Sequence, residues 1–325
     1  MMLKMLSAAT AVSFCWIFWA SAGAAADAPR VVVSIKPVHS LVAGVMDGVG
    51  DPDLLIKGGD SPHTYSLRPS EAQALQEADV VFWIGEDLEG FLARPLQTLP
   101  REAALVALHE ADGVRLLAGR EGGSWEVHAH ASVHADAHEH GHGEHEHAHD
   151  HEGADMHIWL DPHNAQAMVA RIAETLSTMD PQNEEKYASN AAVLRQRLAE
   201  LDTRLRDQLE PVQNESYIVF HDAYRYFEDR YNLNAVGSIT VTPEQQPGAQ
   251  RLYEIRSRIV ETGAKCVFNE PQFEPALVGT LTEGTQARSG VLDPLGAELA
   301  PGPDAYFDLM DQLARSLRNC LDGAG

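Results

Sequence analysis

The sequence predicts an α/β protein of two lobes with parallel sheets, joined by a long helix. Three observations lead to this fold class. Short apolar runs alternate with helical patterns in the first half, the same alternation returns in the second half, and one long amphipathic segment lies between them. A chain of 325 residues is also long enough for about two domains.

The first half contains four short apolar runs that fit buried strands, because the strands of a parallel sheet are covered on both faces. These runs are 31–35, 54–56, 80–84 and 104–108. After the second run we predict a helix with Ser70 as its N-cap and Pro69 as the last residue of the preceding loop.

The middle of the chain is predicted to be helical over 164–179 and again from 183 to about 209. In the second segment, apolar residues recur at spacings of four and three, which gives one apolar stripe along a helix about 40 Å long. The stripe consists of Tyr187, Ala191, Leu194, Leu198, Leu201 and Leu205. A coiled coil is the alternative, but so few heptads are marginal for one, so we expect this helix to join the two halves.

The second half repeats the α/β pattern, with predicted strands at 217–220, 235–239, 266–269 and 291–292. A helix is predicted over 248–261, and Gly263 is placed to end it because glycine readily adopts the left-handed conformation of a helix C-cap. Ligands of open parallel sheets collect at the carboxyl ends of the strands, so residues that follow these strands are candidates for a binding site.

The N-terminus has the parts of a cleavable signal peptide. Lys4 supplies positive charge, an apolar stretch shorter than a membrane span follows, and small residues lead to Ala24 and Ala26, after either of which we expect cleavage. Cys15 lies inside the apolar stretch, which does not fit a lipoprotein site. We therefore predict that residues 1–26 are removed on export.

Two cysteines remain after cleavage, Cys266 and Cys320, and an exported protein meets an oxidising compartment. A disulfide between them would close a loop of about 54 residues and stabilise the fold by ~4 kcal/mol. Two buried free thiols are the alternative.

The composition is acidic, with 48 Asp and Glu residues against 24 Lys and Arg residues and a net charge of −24. This balance argues against nucleic acid and anionic membrane surfaces as partners, because both repel a negative protein. It suits a protein that attracts cations, although a solvated acidic surface would give the same balance.

The stretch from about 113 to 155 interrupts the α/β pattern. Between His128 and His151, imidazole and carboxylate side chains are interleaved and apolar residues are nearly absent, so we predict a disordered loop. Its ten histidines are His128, His130, His134, His138, His140, His142, His145, His147, His149 and His151. They form a candidate low-affinity site for metal ions that would serve acquisition or sensing; the alternative is a solvated loop whose metal binding is incidental.

Three further histidines lie just past a predicted strand or in a loop next to one. They are His63, His157 and His221. Three imidazoles, with a fourth position for a carboxylate or water, are a common ligand set for Zn²⁺. Their wide spacing matches no local zinc motif, and composition alone does not favour them over His39, His109 or His163.

Five segments together give a specific resemblance. Besides the segments around the three histidines, they are Glu-Gln-Gln-Pro-Gly-Ala-Gln-Arg-Leu at 244–252 and Cys-Val-Phe-Asn-Glu-Pro-Gln-Phe at 266–273. With these segments, the His-rich insertion and the late cysteine pair, the chain resembles the zinc-binding proteins of high-affinity zinc uptake ABC transporters, in the cluster A-I metal-binding family. The resemblance covers nearly the whole mature chain.

The resemblance implies two (β/α)₄-like lobes joined by a long rigid helix, with one Zn²⁺ in the cleft between them. The implied organisation is a signal peptide at 1–26, an N-terminal lobe at 27–180, a linking helix at 181–212 and a C-terminal lobe at 213–325. The first lobe would supply His63 and His157, and the second would supply His221.

The resemblance also implies a periplasmic protein that delivers Zn²⁺ to a membrane permease with its cytoplasmic ATPase. We expect the protein to be a monomer. A disulfide between Cys266 and Cys320 belongs to the same pattern, where it would tie a strand to the C-terminal helix.

The fourth ligand stays open. Some zinc-binding members have a glutamate beside the first histidine, where this chain has Pro62. Related manganese proteins use an aspartate at a place that matches Asp293, so we expect either water or Asp293, with Asp60 a weaker candidate. Three imidazoles favour Zn²⁺ over Mn²⁺, whose sites are richer in carboxylates.

Three other functions are consistent with parts of the pattern. A hydrolytic zinc enzyme would also use three histidines and a water, but the sequence has no H-E-x-x-H motif and no nucleophile elbow, so we expect no enzyme. The other two are a manganese-binding relative and a periplasmic zinc store without a transporter.

Overall fold

The computed structural model describes residues 28–99, 102–120, 123–125, 153–240, 247–273 and 276–323. The predicted signal peptide and the ten loop histidines lie outside the described residues, and so does the start of the 244–252 segment.

The first half forms a parallel four-stranded sheet in the order β2-β1-β3-β4. Its strands are β1 (Val31–Val33), β2 (Asp53–Leu54), β3 (Val80–Trp83) and β4 (Ala104–Ala107). Its helices are α1 (Lys36–Val45), α2 (Pro69–Glu77) and α3 (Ala93–Thr98). Every residue of β1 is buried, as expected of an inner strand in a sheet covered on both faces.

Helix α2 begins earlier than predicted, and Ser70 is not its N-cap. Arg68 holds the N-cap position and Pro69 is the first helical residue, where its fixed φ suits the helix and its missing N–H loses no hydrogen bond. The Glu71 carboxylate accepts a hydrogen bond from the Arg68 backbone N–H at 2.8 Å, which secures this helix end.

The predicted disordered loop is ordered at both of its ends. Strands β5 (Leu117–Ala118) and β6 (Ala154–Asp155) pair in antiparallel fashion, so the prediction is wrong for these residues. The Tyr226 hydroxyl holds both strands, because it accepts from the Leu117 N–H at 3.0 Å and donates to the Asp155 carbonyl at 2.6 Å. Strands this short leave no periodic pattern in the sequence.

The helical middle is confirmed. Helices α4 (Pro162–Met179) and α5 (Glu184–Leu209) lie where the sequence predicts them, and the whole predicted stripe of α5 is buried. Helix α5 packs against α1 and α4, and also against α9 (Ala305–Asp322), the last helix of the second half. The long helix therefore connects the two halves.

The second half forms another parallel four-stranded sheet, in the order β10-β9-β7-β8. Its strands are β7 (Tyr217–Val219), β8 (Ala235–Ser238), β9 (Cys266–Asn269) and β10 (Arg288–Val291). The helices between them are α6 (Arg225–Tyr231), α7 (Ala249–Thr262) and α8 (Ala276–Thr282). Two parallel sheets on either side of a long helix confirm the predicted fold class.

The end of helix α7 and the position of strand β10 can be compared with their predictions. Gly263 ends α7 with a φ of +62°, as predicted for a glycine C-cap. Strand β10 begins at Arg288, before the predicted strand at 291–292, and shares only Val291 with it. It is the edge strand of its sheet and is largely exposed, so it lacks the apolar run by which the other strands were recognised.

The predicted disulfide is present between Cys266 in β9 and Cys320 in α9. It joins the last helix of the chain to an inner strand of the second sheet. The alternative of two free thiols is therefore wrong.

The two halves share one hydrophobic core and are also joined by polar contacts near the cleft. The buried ammonium of Lys36, at the start of α1, donates to three backbone carbonyls within 296–299 at 2.6 to 2.9 Å. The Trp159 indole N–H donates to the Pro294 carbonyl at 2.8 Å. These contacts hold a second-half segment against the first half.

Among the described helices, none combines the length and the apolar character that crossing a bilayer requires.

Candidate metal centre

The three predicted histidines are positioned by different elements. His221 follows β7 at the carboxyl edge of the second sheet. His157 follows β6 and precedes a short 3₁₀ turn, Ile158–Leu160. His63 lies in a turn of the loop after β2. The histidines thus approach one another from both halves, at the edge where ligands of parallel sheets bind.

The Nε2 atoms of the three rings converge. They are 3.3 Å apart between His63 and His157, and 3.4 Å apart between His157 and His221. One ligand atom from each ring lies within 4.8 Å of the others, so a single ion could contact all three. Nitrogens bound tetrahedrally to Zn²⁺ at about 2.0–2.1 Å would be ~3.4 Å apart. The observed separations fit that geometry.

Two buried carboxylates orient two of these rings. Nδ1 of His157 donates to Asp155 at 2.8 Å, and Nδ1 of His221 donates to Glu270 at 2.7 Å. Because each Nδ1 carries the proton, each Nε2 keeps its lone pair directed at the common centre. This arrangement fixes the tautomer that binds a metal ion.

Sequence reasoning missed both carboxylates. Asp155 is two residues before His157, but it was counted with the polar loop. Glu270 directly follows β9, the strand beside β7, so a search for polar residues after neighbouring strands would have found it.

The surroundings of His63 and His221 move their pKa values in opposite directions. Burial, and then the proximity of His157 and His221, lower the pKa of His63 to about 2. Burial also acts to lower the pKa of His221, but the charge and hydrogen bond of Glu270, together with the charges of Asp222 and Asp155, outweigh it, and the pKa is raised. Of these two imidazoles, His221 is the one for which protons compete with a metal ion.

A charged cluster links the base of the loop to the strand end that carries His221. The Arg120 guanidinium pairs with Asp222, the next residue after His221, and with Glu228 at 2.6 Å. The ring centroid of Trp125 lies 3.5 Å from the guanidinium carbon of Arg120. These contacts hold Arg120 and Trp125 beside the segment that carries His221.

The structure does not place Asp293 in the histidine group. One carboxylate oxygen accepts from the Gln272 amide and from the backbone N–H groups of residues 295 and 296, each at 3.0 Å, and the other accepts from that of residue 297 at 2.5 Å. These bonds occupy the carboxylate in a turn, so the expectation that Asp293 completes the site is not supported. Asp60 is exposed and pairs with Arg68.

The three histidines that composition could not exclude as ligands, His39, His109 and His163, do not belong to this group. Nε2 of His39 contacts the Pro52 carbonyl at 3.0 Å, and Nδ1 of His109 contacts the Ile84 carbonyl at 2.7 Å. His163 is exposed at the start of α4. Among the described residues, the structure therefore separates the three predicted histidines from the others, which composition alone could not do.

The space between the rings is small and mostly walled by apolar groups. Besides the histidines, the walls of this cavity include Pro62, Trp159, Phe273, Pro294 and Leu295, with Ser61, Glu270 and Gln272 as polar members. The apolar members lower the local polarity and so strengthen the attraction between a cation and the imidazoles.

Fold and site together define a class: a two-lobe α/β protein with a group of imidazoles between its parallel sheets that could hold one metal ion. Comparison with known proteins narrows this class. The sequence model of the family "Zinc-uptake complex component A periplasmic" (ZnuA) matches residues 31–320, and the chain belongs to this family.

Individual relatives agree with the family. The high-affinity zinc uptake system protein ZnuA of Brucella abortus (strain 2308) is 51% identical over 310 residues, covering 91% of this chain and 93% of the relative. A crystal structure of ZnuA superposes with a TM-score of 0.73 at 25% identity, covering 91% of this chain and all of that one (100%). A ZnuA deletion mutant with zinc bound gives 0.72 at 26% identity, with 91% and 98% coverage.

Proposed function

We propose that this chain is the periplasmic component that captures Zn²⁺ for an ABC importer, and that Nε2 of His63, His157 and His221 bind the ion. The convergence of these three atoms carries the proposal, because two of the rings have their Nδ1 protons committed to buried carboxylates. Membership of a family of zinc-uptake components supports Zn²⁺ as the cargo and transport, not catalysis, as the activity.

The ligand set favours Zn²⁺ over Mn²⁺. Imidazole nitrogens point at the centre, whereas Asp155 and Glu270 are bonded to the far side of their rings and Asp293 is bonded to a turn. Mn²⁺ sites are typically richer in oxygen ligands. The manganese-binding alternative therefore has less support than zinc.

Capture by residues from both halves makes the ion a crosslink between them. We propose the division into an N-terminal lobe at 27–180, a linking helix at 181–212 and a C-terminal lobe at 213–325. Because α5 packs against helices of both halves, a small displacement of His221 from the other two histidines would be sufficient to release the ion.

The proposed function also includes an export signal, a compartment and membrane partners. We propose that residues 1–26 direct the chain to the periplasm, that it acts there as a monomer, and that it delivers the ion to a membrane permease driven by a cytoplasmic ATPase. The family name supports the compartment and the existence of an uptake complex.

We propose that the ten loop histidines bind zinc weakly and pass it to the cleft. The charged cluster of Arg120 and Asp222 supports this role, because it places the base of the loop beside His221. A chain without residues 127–150, titrated with Zn²⁺ by calorimetry, should lose the weak phase and keep the tight site. Unchanged stoichiometry would contradict a role of the loop in zinc binding.

The proposed cleft site is tested by replacing single histidines. Loss of a residue that hydrogen-bonds to a metal ligand typically lowers metal affinity by about 10–100-fold. His157→Ala and His221→Ala each remove a ligand itself, so each should weaken tight Zn²⁺ binding by more than that. His163→Ala, at an exposed position, is the matched control and should bind like the parent chain. An anomalous zinc signal in a zinc-bound crystal must lie among the three rings, and tight binding that survives both substitutions would refute the proposal.

A further inference from the structure

Gln272 lies close to the three histidines but is not one of the proposed ligands. It follows β9 and forms part of the cavity wall together with the three histidines, Phe273 and Leu295. The amide of Gln272 is therefore in a position to contact whatever fills the cavity beside the ion.

Asp293 determines which end of this amide faces the cavity. Nε2 of Gln272 donates to Asp293 at 3.0 Å, on an oxygen that also accepts two backbone N–H groups. A carboxylate in this position only accepts hydrogen bonds, so the amide nitrogen must point toward it. Asp293 is not part of the cavity wall. The amide oxygen is therefore the end left for the cavity.

The amide oxygen of Gln272 is buried and has no hydrogen-bond donor among the described residues. Nε2 of His157 and Nε2 of His221 cannot donate to it, because these atoms carry lone pairs when their Nδ1 atoms are protonated. The Trp159 indole N–H is committed to the Pro294 carbonyl. A buried acceptor of this kind normally has a partner, so a donor is expected to arrive with the cargo.

We infer that the amide oxygen of Gln272 accepts a hydrogen bond from a water bound to the ion, and that it thereby selects water for the fourth coordination position. This inference rests on the proposed zinc site. Asp293 then acts one step removed, by orienting Gln272. An acceptor oxygen disfavours an anion at the same position, since an anion without a proton would leave it unsatisfied.

Anion binding to the Co²⁺-loaded full-length chain tests this selection. Co²⁺ replaces Zn²⁺ as a coloured probe, and azide is titrated while the visible absorption of the tetrahedral site is followed. Gln272→Met keeps the length of the side chain and removes the oxygen. It should bind azide about tenfold more tightly than the parent, because displacing the water no longer leaves an unsatisfied acceptor. Its Zn²⁺ affinity should fall about tenfold, as is typical when a group behind the metal is lost.

Gln250→Ala is the matched control, since that amide contacts Glu254 on an exposed face of α7. If Gln272 only fills space, methionine will exclude azide as glutamine does, and that result overturns the inference. A zinc-bound crystal structure gives a second measurement: the amide oxygen must lie within hydrogen-bond distance of the bound water, and its direct bonding to the ion also overturns it. Failure of the zinc site itself would appear separately, as tight binding that survives His157→Ala.

Discussion

The two imidazole–carboxylate pairs of the cleft are alike in chemistry but are assembled differently. In each pair one carboxylate oxygen also accepts the backbone N–H of the histidine, at 2.9 Å for His157 and 3.4 Å for His221. Asp155, however, is only two residues before His157. Glu270 reaches His221 from another strand, so this pair exists only when β9 lies beside β7. One pair is local, and the other depends on the second sheet.

The difference has an electrostatic side as well. Glu270 is only 1% exposed. Burial acts to lower the pKa of His221, but the pKa is raised on balance, and the charge and hydrogen bond of Glu270 contribute most to raising it. Asp155 is 8% exposed and lies in β6 at the base of the loop. The second-half pair should therefore contribute more to metal affinity than the first-half pair, and substitutions can measure by how much.

The largest effect is expected from Glu270→Gln. The amide can still accept from Nδ1 of His221, but the buried charge that strengthens this ligand is lost, so Zn²⁺ affinity should fall about 100-fold. Competition with a chelator at pH 8 measures it. Glu261→Gln, at an exposed position on α7, is the control. An affinity within about threefold of the parent would mean that Glu270 does not tune the metal site.

Asp155→Asn should have a smaller effect, about tenfold. The asparagine oxygen can keep both local hydrogen bonds, to the ring and to the backbone N–H of His157, so ring orientation survives and only the charge is lost. The same chelator assay applies, with exposed Asp112→Asn as control. A loss larger than that of Glu270→Gln would reverse the ranking of the two pairs.

Lower pH should weaken Zn²⁺ binding through His221. The pKa of His221 is raised above the usual 6.5, and a proton occupies this imidazole once the pH falls below that pKa. As the pH is lowered, Zn²⁺ affinity should therefore already be decreasing before the pH reaches 6.5. His63, with a pKa of about 2, does not compete at these pH values.

In Glu270→Gln the pKa of His221 is lower, so proton competition begins at lower pH. The gap between parent and variant should therefore narrow as the pH falls from 8 to 6. Affinity measured over that range in both chains checks this, and parallel curves would show that Glu270 does not set the proton affinity of His221.

The smallest effect on the site is expected from loss of the disulfide. Replacing Cys266 and Cys320 with serine should lower the free energy of unfolding by ~4 kcal/mol, measured with denaturant. Zn²⁺ affinity should change less than about threefold, because β9 stays paired with both β7 and β10. An affinity loss as large as that of Glu270→Gln would show that the long-range pair depends on this crosslink.

Much of the fold could be predicted from the sequence because buried strands and an amphipathic helix leave periodic patterns. The stripe of α5 and the central strands are of this kind. The pattern fails where an element is exposed or very short, as for edge strand β10 and the two-residue strands β5 and β6. Those elements depend on partners that are distant in sequence.

Some residues of the candidate site could also be predicted from the sequence, and others could not. The resemblance selected His63, His157 and His221, and the structure brings them together, while their binding of zinc stays a prediction. Glu270 could not be paired with His221 from sequence, since the register of two strands sets that contact. Asp293 was a candidate ligand because of its position, but a side chain's position does not reveal that backbone N–H groups will occupy it.

The Lys36 ammonium bears on how the cleft can open. Its three carbonyl partners lie just after Pro294 and Leu295, which form part of the cavity wall. A movement that pulled this segment away from α1 would leave a buried cation without these three acceptors. Detaching this part of the wall from the first half therefore costs free energy.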